Sequence, residues 1–111
     1  MSDTNIEYRA ERLPGIETSK ELHASVEGRE RPRIGYTLDT QSRDNGVRAA
    51  NAAEGLIAYA RPIGLETEEL TTVFGDFLSD LRHLADAVGV DWDAVDERGQ
   101  DHYRCELYGT E

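Results

Sequence analysis

The stretch LTTVFGDFLSDLRHLADAVGVDWDAV, residues 70–95, has the clearest hydrophobic periodicity in the chain and decides its fold. Its apolar residues recur every three or four positions and fall within about 140° of a helical wheel, the width of a core-facing stripe. This pattern predicts a helix over residues 67–88, with Thr67 as its N-cap and Glu68 and Glu69 in the first turn. The stripe consists of Leu70, Val73, Phe74, Phe77, Leu78, Leu81, Leu84, Ala85 and Val88.

The stretch ends in a predicted turn between two helices, Gly89-Val90-Asp91. Glycine readily takes the left-handed conformation that ends a helix, and Asp91 is a good N-cap for the next one. A further helix is predicted over residues 92–108, because apolar or small residues recur on one face after the turn. They are Trp92, Val95, Gly99, Tyr103 and Leu107. Short connections favour antiparallel neighbours, so the two helices should fold back on each other.

An alanine-rich helix is predicted upstream, over residues 45–61, with Asp44 or Asn45 as its N-cap and Pro62 and Gly64 at its end. Its apolar arc contains Ala49, Ala50, Ala53, Leu56, Ile57 and Ala60. The fold class is therefore mainly α, a small antiparallel bundle of three helices that forms one domain over residues 44–111. Wide apolar stripes on so few helices leave exposed hydrophobic edges, and a homodimer would cover them by completing a larger core.

The first 43 residues have a weaker pattern, with two short segments that alternate at period two. Ile6, Tyr8 and Ala10 form one segment, and Ile34, Tyr36 and Leu38 form the other. The two could pair as a short β-ribbon. The alternative is an extended arm that orders only against the helices or a partner, since residues 17–33 have low hydrophobicity.

The net charge of -11 is concentrated in the second half of the chain. Residues 63–111 hold thirteen acids and three arginines, whereas residues 1–62 hold ten acids and nine bases. Such a field repels the phosphates of nucleic acids and membranes and favours cationic partners, divalent ions or a basic protein groove. We expect a protein partner with a basic surface, no direct nucleic-acid binding and no membrane contact.

The sequence also indicates the compartment and the cysteine chemistry. No apolar run approaches the roughly 18 residues that span a bilayer, and MSDTNIEYRAER at the N-terminus lacks the apolar middle of a signal peptide, so we expect a cytoplasmic protein. Cys105 is the only cysteine. It can form no disulfide within the chain and is interpreted as an ordinary helix residue.

Five polar residues beside the predicted core are candidate metal ligands: Asp76, Asp80, His83, His102 and Glu106. Antiparallel folding at residues 89–91 would bring Asp80 opposite residue 101 or 102, and Asp76 opposite residue 105 or 106. Carboxylate and imidazole groups together suit Zn²⁺, Mn²⁺ or iron, and carboxylates alone suit Mg²⁺ or Mn²⁺. The alternative is a hydrogen-bond network, without any cofactor, that fixes the register of the two helices. No phosphate-binding loop or nucleophile motif is present, so no catalytic residue is assigned.

Three segments carry a resemblance to small helical proteins of actinobacteria, phages and prophages. They are RAANAAEGL at residues 48–56, DFLSDLRHLADAVGVDWDAV at residues 76–95, and HYRCE at residues 102–106. The resemblance implies a shared helical fold and an origin in a mobile element, and it implies no activity.

A more distant resemblance connects residues 73–95 with the last helices of the MazG-like all-α nucleoside triphosphate pyrophosphatases. Gly75-Asp76 is similar to the Gly-Asp step of that family's metal-binding helix, and Gly89-Val90-Asp91 to the Gly-Ile-Asp turn after it. Thr72 stands where the family has a further acid, and Glu54 is the only acid in the alanine-rich stretch that would correspond to its Glu-Glu-x-x-Glu helix.

Two functions follow from these observations. The first is a small acidic helical module, associated with phages or mobile elements, that presents a negative surface to a protein partner. The second is a divalent-metal enzyme acting on a nucleotide, in which Asp76, Asp80, His83 and Glu106 hold the ion.

Overall fold

The computed structural model describes residues 6–109 and is mainly helical. Within these residues four α-helices follow one another: α1 (Ser19–Val26), α2 (Gln41–Ala60), α3 (Leu70–Val88) and α4 (Trp92–Tyr108). A single turn of 3₁₀ helix, Leu38–Thr40, leads directly into α2. The mainly α prediction is confirmed, and the count of three helices was one too low.

The sequence prediction missed α1, although its start carries a recognisable signal. Thr18 and Glu21 form a capping box: the Thr18 hydroxyl accepts from the Glu21 N–H, and the Glu21 carboxylate accepts from the Thr18 N–H. This reciprocal pair satisfies two backbone donors that the first turn would otherwise leave unpaired. With only eight residues, α1 shows too few repeats of the helical period to stand out.

No strand occurs among residues 6–109, so the predicted β-ribbon is not found in the part of the chain that the structure describes. Its first segment lies instead against the ends of α2 and α4: the Tyr8 N–H donates to the Leu107 carbonyl at 2.7 Å, and the Asn45 amide donates to the Tyr8 carbonyl at 2.7 Å. Residues 1–5 of the predicted arm lie outside the described residues.

The main core lies between α1, the C-terminal half of α2 and the first turns of α3. Its buried residues are Leu22, Ala53, Leu56, Ile57, Ala60 and Val73. Ala60 and Val73 have no exposed surface at all. Helix α2 contributes the small residues Ala53 and Ala60 to this core, and the N-terminal region contributes Leu22.

Helix α2 begins earlier than predicted, at Gln41, so Asp44 lies in its first turn and is not its N-cap. The Asp44 carboxylate is fully buried and accepts hydrogen bonds from the backbone N–H groups of Gly35 and Tyr36 and from the Thr40 hydroxyl, each at 2.9 Å. Asp44 thus satisfies donors of the preceding loop and fixes that loop to the helix. Tyr36 is held there in a left-handed conformation, with φ of 57°.

Helix α3 also departs from its prediction, since it begins at Leu70 and Thr67 does not cap it. The backbone before α3 pairs with the backbone before α1: Leu70 N–H donates to the Glu17 carbonyl at 2.9 Å, and Lys20 N–H to the Glu66 carbonyl at 3.1 Å. The Leu70 N–H at the start of α3 is therefore satisfied by a carbonyl of a distant segment, and not by a capping side chain.

The turn between α3 and α4 agrees with its prediction. Gly89 ends α3 in the left-handed conformation, with φ of 77°, and the Val90 N–H donates to the Ala85 carbonyl at 2.9 Å. The Asp91 carboxylate accepts from the N–H groups of Asp93 and Ala94 and caps α4. The two helices therefore form a hairpin, which we call the α3–α4 hairpin.

Candidate functional site

Asp80, the central candidate ligand, lies against α2 and not against α4. The Tyr59 hydroxyl on α2 donates to the Asp80 carboxylate at 2.6 Å, and the Tyr59 ring stacks on Phe77 with ring centres 4.4 Å apart. The hydrogen bond to Asp80, the partial burial of the ring and the negative charges of Asp80 and Asp76 together raise the pKa of Tyr59 to about 12. Asp80 thus accepts directly from the Tyr59 hydroxyl, whereas Asp76 acts on it only through its charge.

Glu106 lies at the other end of α2. Its carboxylate forms a half-buried ion pair with Arg48, with 3.2 Å from oxygen to Nε. Its backbone carbonyl accepts from the side-chain amides of Gln41, at 2.7 Å, and Asn45, at 3.0 Å. These bonds satisfy a carbonyl in the last turn of α4 and fix that turn to the first turns of α2.

The two candidate histidines, His83 and His102, are exposed. Within residues 6–109 no hydrogen bond or ion pair joins Asp76, Asp80 or His83 to His102 or Glu106. In the same residues no group of three or more histidine, cysteine, aspartate or glutamate side chains is placed to hold a metal ion. The expected meeting of the polar edges fails because the Asp80 edge of α3 faces α2.

The exposed outer side of α4 carries an acidic stripe, defined here as Asp93, Glu97 and Asp101. The three residues are spaced four apart, so they lie on one side of the helix, and all are exposed. The only described cation paired with the stripe is Arg104, which lies 3.8 Å from Asp101 on the exposed surface. Arg104 offsets part of the charge of Asp101, and Arg98 lines the same surface depression as Glu97 and Asp101, so the stripe keeps a net negative charge that is smaller than that of three carboxylates.

A second surface consists of large apolar side chains that α2 does not cover. We call it the open face and define it as Phe74, Leu78, Leu81, Leu84 and Val88 of α3 with Val95 and Tyr103 of α4. Phe74 is 61% exposed, Leu84 55%, Val88 64% and Tyr103 56%. A solvated monomer rarely leaves so many large apolar residues together in water.

The two halves of the open face are continuous. Leu78 of α3 and Val95 and Tyr103 of α4 line one groove of about 320 Å³. Its other lining residues are Trp92, Gly99, Asp96 and Gln100. The acidic stripe lies about 140° around α4 from this lining, at 100° per residue. The hairpin therefore has a largely apolar side, on which Asp96 lines the groove, and an acidic side that carries the stripe.

Comparison with protein-family models, with curated proteins and with solved structures found no match to this chain. None of the helices in residues 6–109 combines the length and the apolar content required to cross a bilayer.

Proposed function

We propose that this protein is a small acidic helical interaction module, and that the acidic stripe of α4 binds a protein partner with a basic surface. The observation that carries the proposal is the one-sided placement of Asp93, Glu97 and Asp101, which are exposed and set apart from the buried core. Residues 70–108 contain nine acids and three arginines, so the surrounding field reinforces the stripe. The resemblance to small phage and prophage proteins is consistent with such a role.

The field of the α3–α4 hairpin would act mainly on association. Complementary charge accelerates the encounter of two proteins and excludes partners of like charge. Because exposed charges are screened over roughly 8 Å at physiological ionic strength, the complex should weaken as salt is added. The same field disfavours nucleic acids and anionic membranes as partners.

The alternative is a metal-dependent nucleotide pyrophosphatase of the MazG-like type. Its support is the Gly75-Asp76 step and the position of Asp76 one turn before Asp80. It has less support than the first proposal, because Asp80 already accepts from Tyr59 and Glu106 is paired with Arg48 on the far end of α2.

Affinity capture from an extract of the source cell tests the proposal. The bait is compared with a stripe variant, Asp93→Asn with Glu97→Gln and Asp101→Asn, and with a control variant, Glu11→Gln with Glu27→Gln and Glu30→Gln. All six positions are exposed, and both variants remove three negative charges. We expect a basic protein to be retained by the natural chain and the control, lost by the stripe variant, and eluted by salt.

The proposal fails if no basic protein is retained. It also fails if the two variants reduce capture equally, because net charge and not the stripe would then be responsible.

A further inference from the structure

The chain exposes more surface than a compact monomer of its mass. The accessible surface of the chain is 8246 Å². A compact monomer of 12.4 kDa is expected to expose about 6,100 Å². After about 1,100 Å² is set aside for the seven residues outside the described range, roughly 1,000 Å² of excess remains over the rest of the chain, and the open face contributes to it. A standard interface buries about 800 Å² on each partner.

The dimensions of the molecule lead to the same conclusion. The radius of gyration is 15.7 Å, whereas a compact domain of this length has about 13 Å. The chain is extended because α2 contacts only part of each helix of the hairpin. It meets α3 at Val73, Phe77 and Asp80, and it meets α4 at Glu106. The parts of α3 and α4 that lie between these contacts do not pack against α2.

The spacing along α3 matches the surface of another helix. The α3 residues of the open face, Phe74, Leu78, Leu81, Leu84 and Val88, are separated by four, three, three and four residues. Steps of three and four residues keep these side chains on one face of α3, and such a face can pack against another helix as in four-helix bundles. Gly99 on α4 has no atom within 4 Å of the position of an added Cβ, so this part of the groove is open to an incoming side chain.

We propose that a second copy of this chain covers the open face, so that the two α3–α4 hairpins pair about a two-fold axis and form a four-helix bundle. A two-fold pair needs a surface that is complementary to itself, and a stripe of leucine, valine and phenylalanine with this spacing meets that need. The excess surface of the chain, to which the open face contributes, is also large enough to supply the roughly 800 Å² that one partner buries in a stable dimer. In such a dimer the acidic stripes remain on the outside and are doubled in number.

This dimer does not depend on the proposed function, and salt separates the two. Each copy carries a net charge of -11, so the copies repel each other at long range and added salt should leave the dimer unchanged or strengthen it. Binding of a basic partner should weaken under the same change.

Sedimentation equilibrium of the full chain at about 100 μM, well above the micromolar range, tests the proposal. We expect a mass twice the 12.4 kDa of one chain. The double variant Phe74→Gln with Leu84→Gln should weaken self-association on the order of 100-fold, because each lost contact occurs twice across a two-fold axis. Both positions are more than half exposed in one copy, so the variant should keep its helical circular dichroism.

The matched control is Ile6→Gln with Ile63→Gln, two exposed apolar residues outside the open face. We expect this control to remain a dimer. A natural chain that sediments as a monomer overturns the proposal, and so does a folded face variant that still dimerises or a control that dissociates equally. A monomer in which the open face binds a different protein would assign that surface to another occupant and would also overturn it.

Discussion

The main core around α2 and the α3–α4 hairpin differ in how completely their hydrophobic faces are buried. Their sequence patterns alone suggest the opposite order of burial. The face of α2 is built largely of alanine, yet Ala53 and Ala60 are buried. The stripe of α3 is the most strongly apolar in the chain, yet Phe74 and Leu84 are more than half exposed. A hydrophobic pattern thus predicts that a helix face is buried. It does not indicate whether the residues that bury it belong to the same chain or to a partner.

The largest expected effect is a difference between two identical substitutions, one in each region. Leu56→Ala removes a side chain that is 5% exposed in the core, and we expect it to cost about 2–5 kcal/mol of unfolding free energy. Leu84→Ala removes one that is 55% exposed, and we expect it to cost less than about 1 kcal/mol. Urea unfolding at protein concentrations below self-association measures both.

Equal costs for Leu56→Ala and Leu84→Ala would contradict the comparison, because both regions would then be equally buried in a single chain. Repeating the measurement at higher protein concentration distinguishes burial within one chain from burial against a second copy. If a second copy covers Leu84, the cost of Leu84→Ala should grow as the concentration rises, while the cost of Leu56→Ala stays nearly constant.

A smaller effect concerns the anchor at the start of α2. Burial raises the pKa of Asp44, but hydrogen bonds from the Gly35 N–H, the Thr40 hydroxyl, the Tyr36 N–H and the Arg43 guanidinium lower it by a larger amount. The resulting pKa is about 2. Because the folded pKa lies below the ordinary value of 3.8, the carboxylate stabilises the fold above about pH 4, and this stabilisation is lost as the pH falls towards 2.

Asp44→Asn should therefore be less stable than the natural chain at neutral pH, and the difference should shrink as the pH falls from about 4 to 2. Thermal unfolding across this range measures it. Asp39→Asn, an exposed carboxylate in the preceding turn, is the control and should show no such convergence. A difference that is constant with pH would show that the Asp44 charge is not involved.

The smallest effect lies where the two regions meet, at the Tyr59–Asp80 hydrogen bond. Because the pKa of Tyr59 is raised from 10 to about 12, the bond stabilises the fold fully below pH 10, and this stabilisation is lost as the pH rises towards 12. Asp80→Asn should lower the pKa of Tyr59, as measured by tyrosinate absorbance corrected with Tyr59→Phe. Asp86→Asn, exposed on the same helix, should leave that pKa unchanged. An unchanged Tyr59 titration in Asp80→Asn would mean that Asp80 has another partner.

The parts of the fold that local chemistry determines could be predicted from the sequence. Three helices and the turn at Gly89 and Asp91 follow from periodicity and capping residues a few positions apart. The start of α3 could not be predicted, because Leu70 N–H is satisfied by the Glu17 carbonyl, more than fifty residues away. The short α1 could have been found from its capping box at Thr18 and Glu21.

The candidate site was harder to predict, because it depends on how each helix is rotated about its axis. The expected meeting of Asp80 with α4 assumed that the polar edges of α3 and α4 face each other. The stacking of Tyr59 on Phe77 turns that edge of α3 towards α2. A ring contact between distant residues decides this rotation, and no spacing within α3 indicates it.

The hydrogen bond between the Tyr8 N–H and the Leu107 carbonyl brings positions near both ends of the described chain to the same place. A short peptide could therefore connect them and produce a closed ring with the helices in their present arrangement. New ends could then be opened in the exposed loop after α1, so that α2 came first and α1 last. The architecture would depend on which helices touch and not on the order in which they are synthesised.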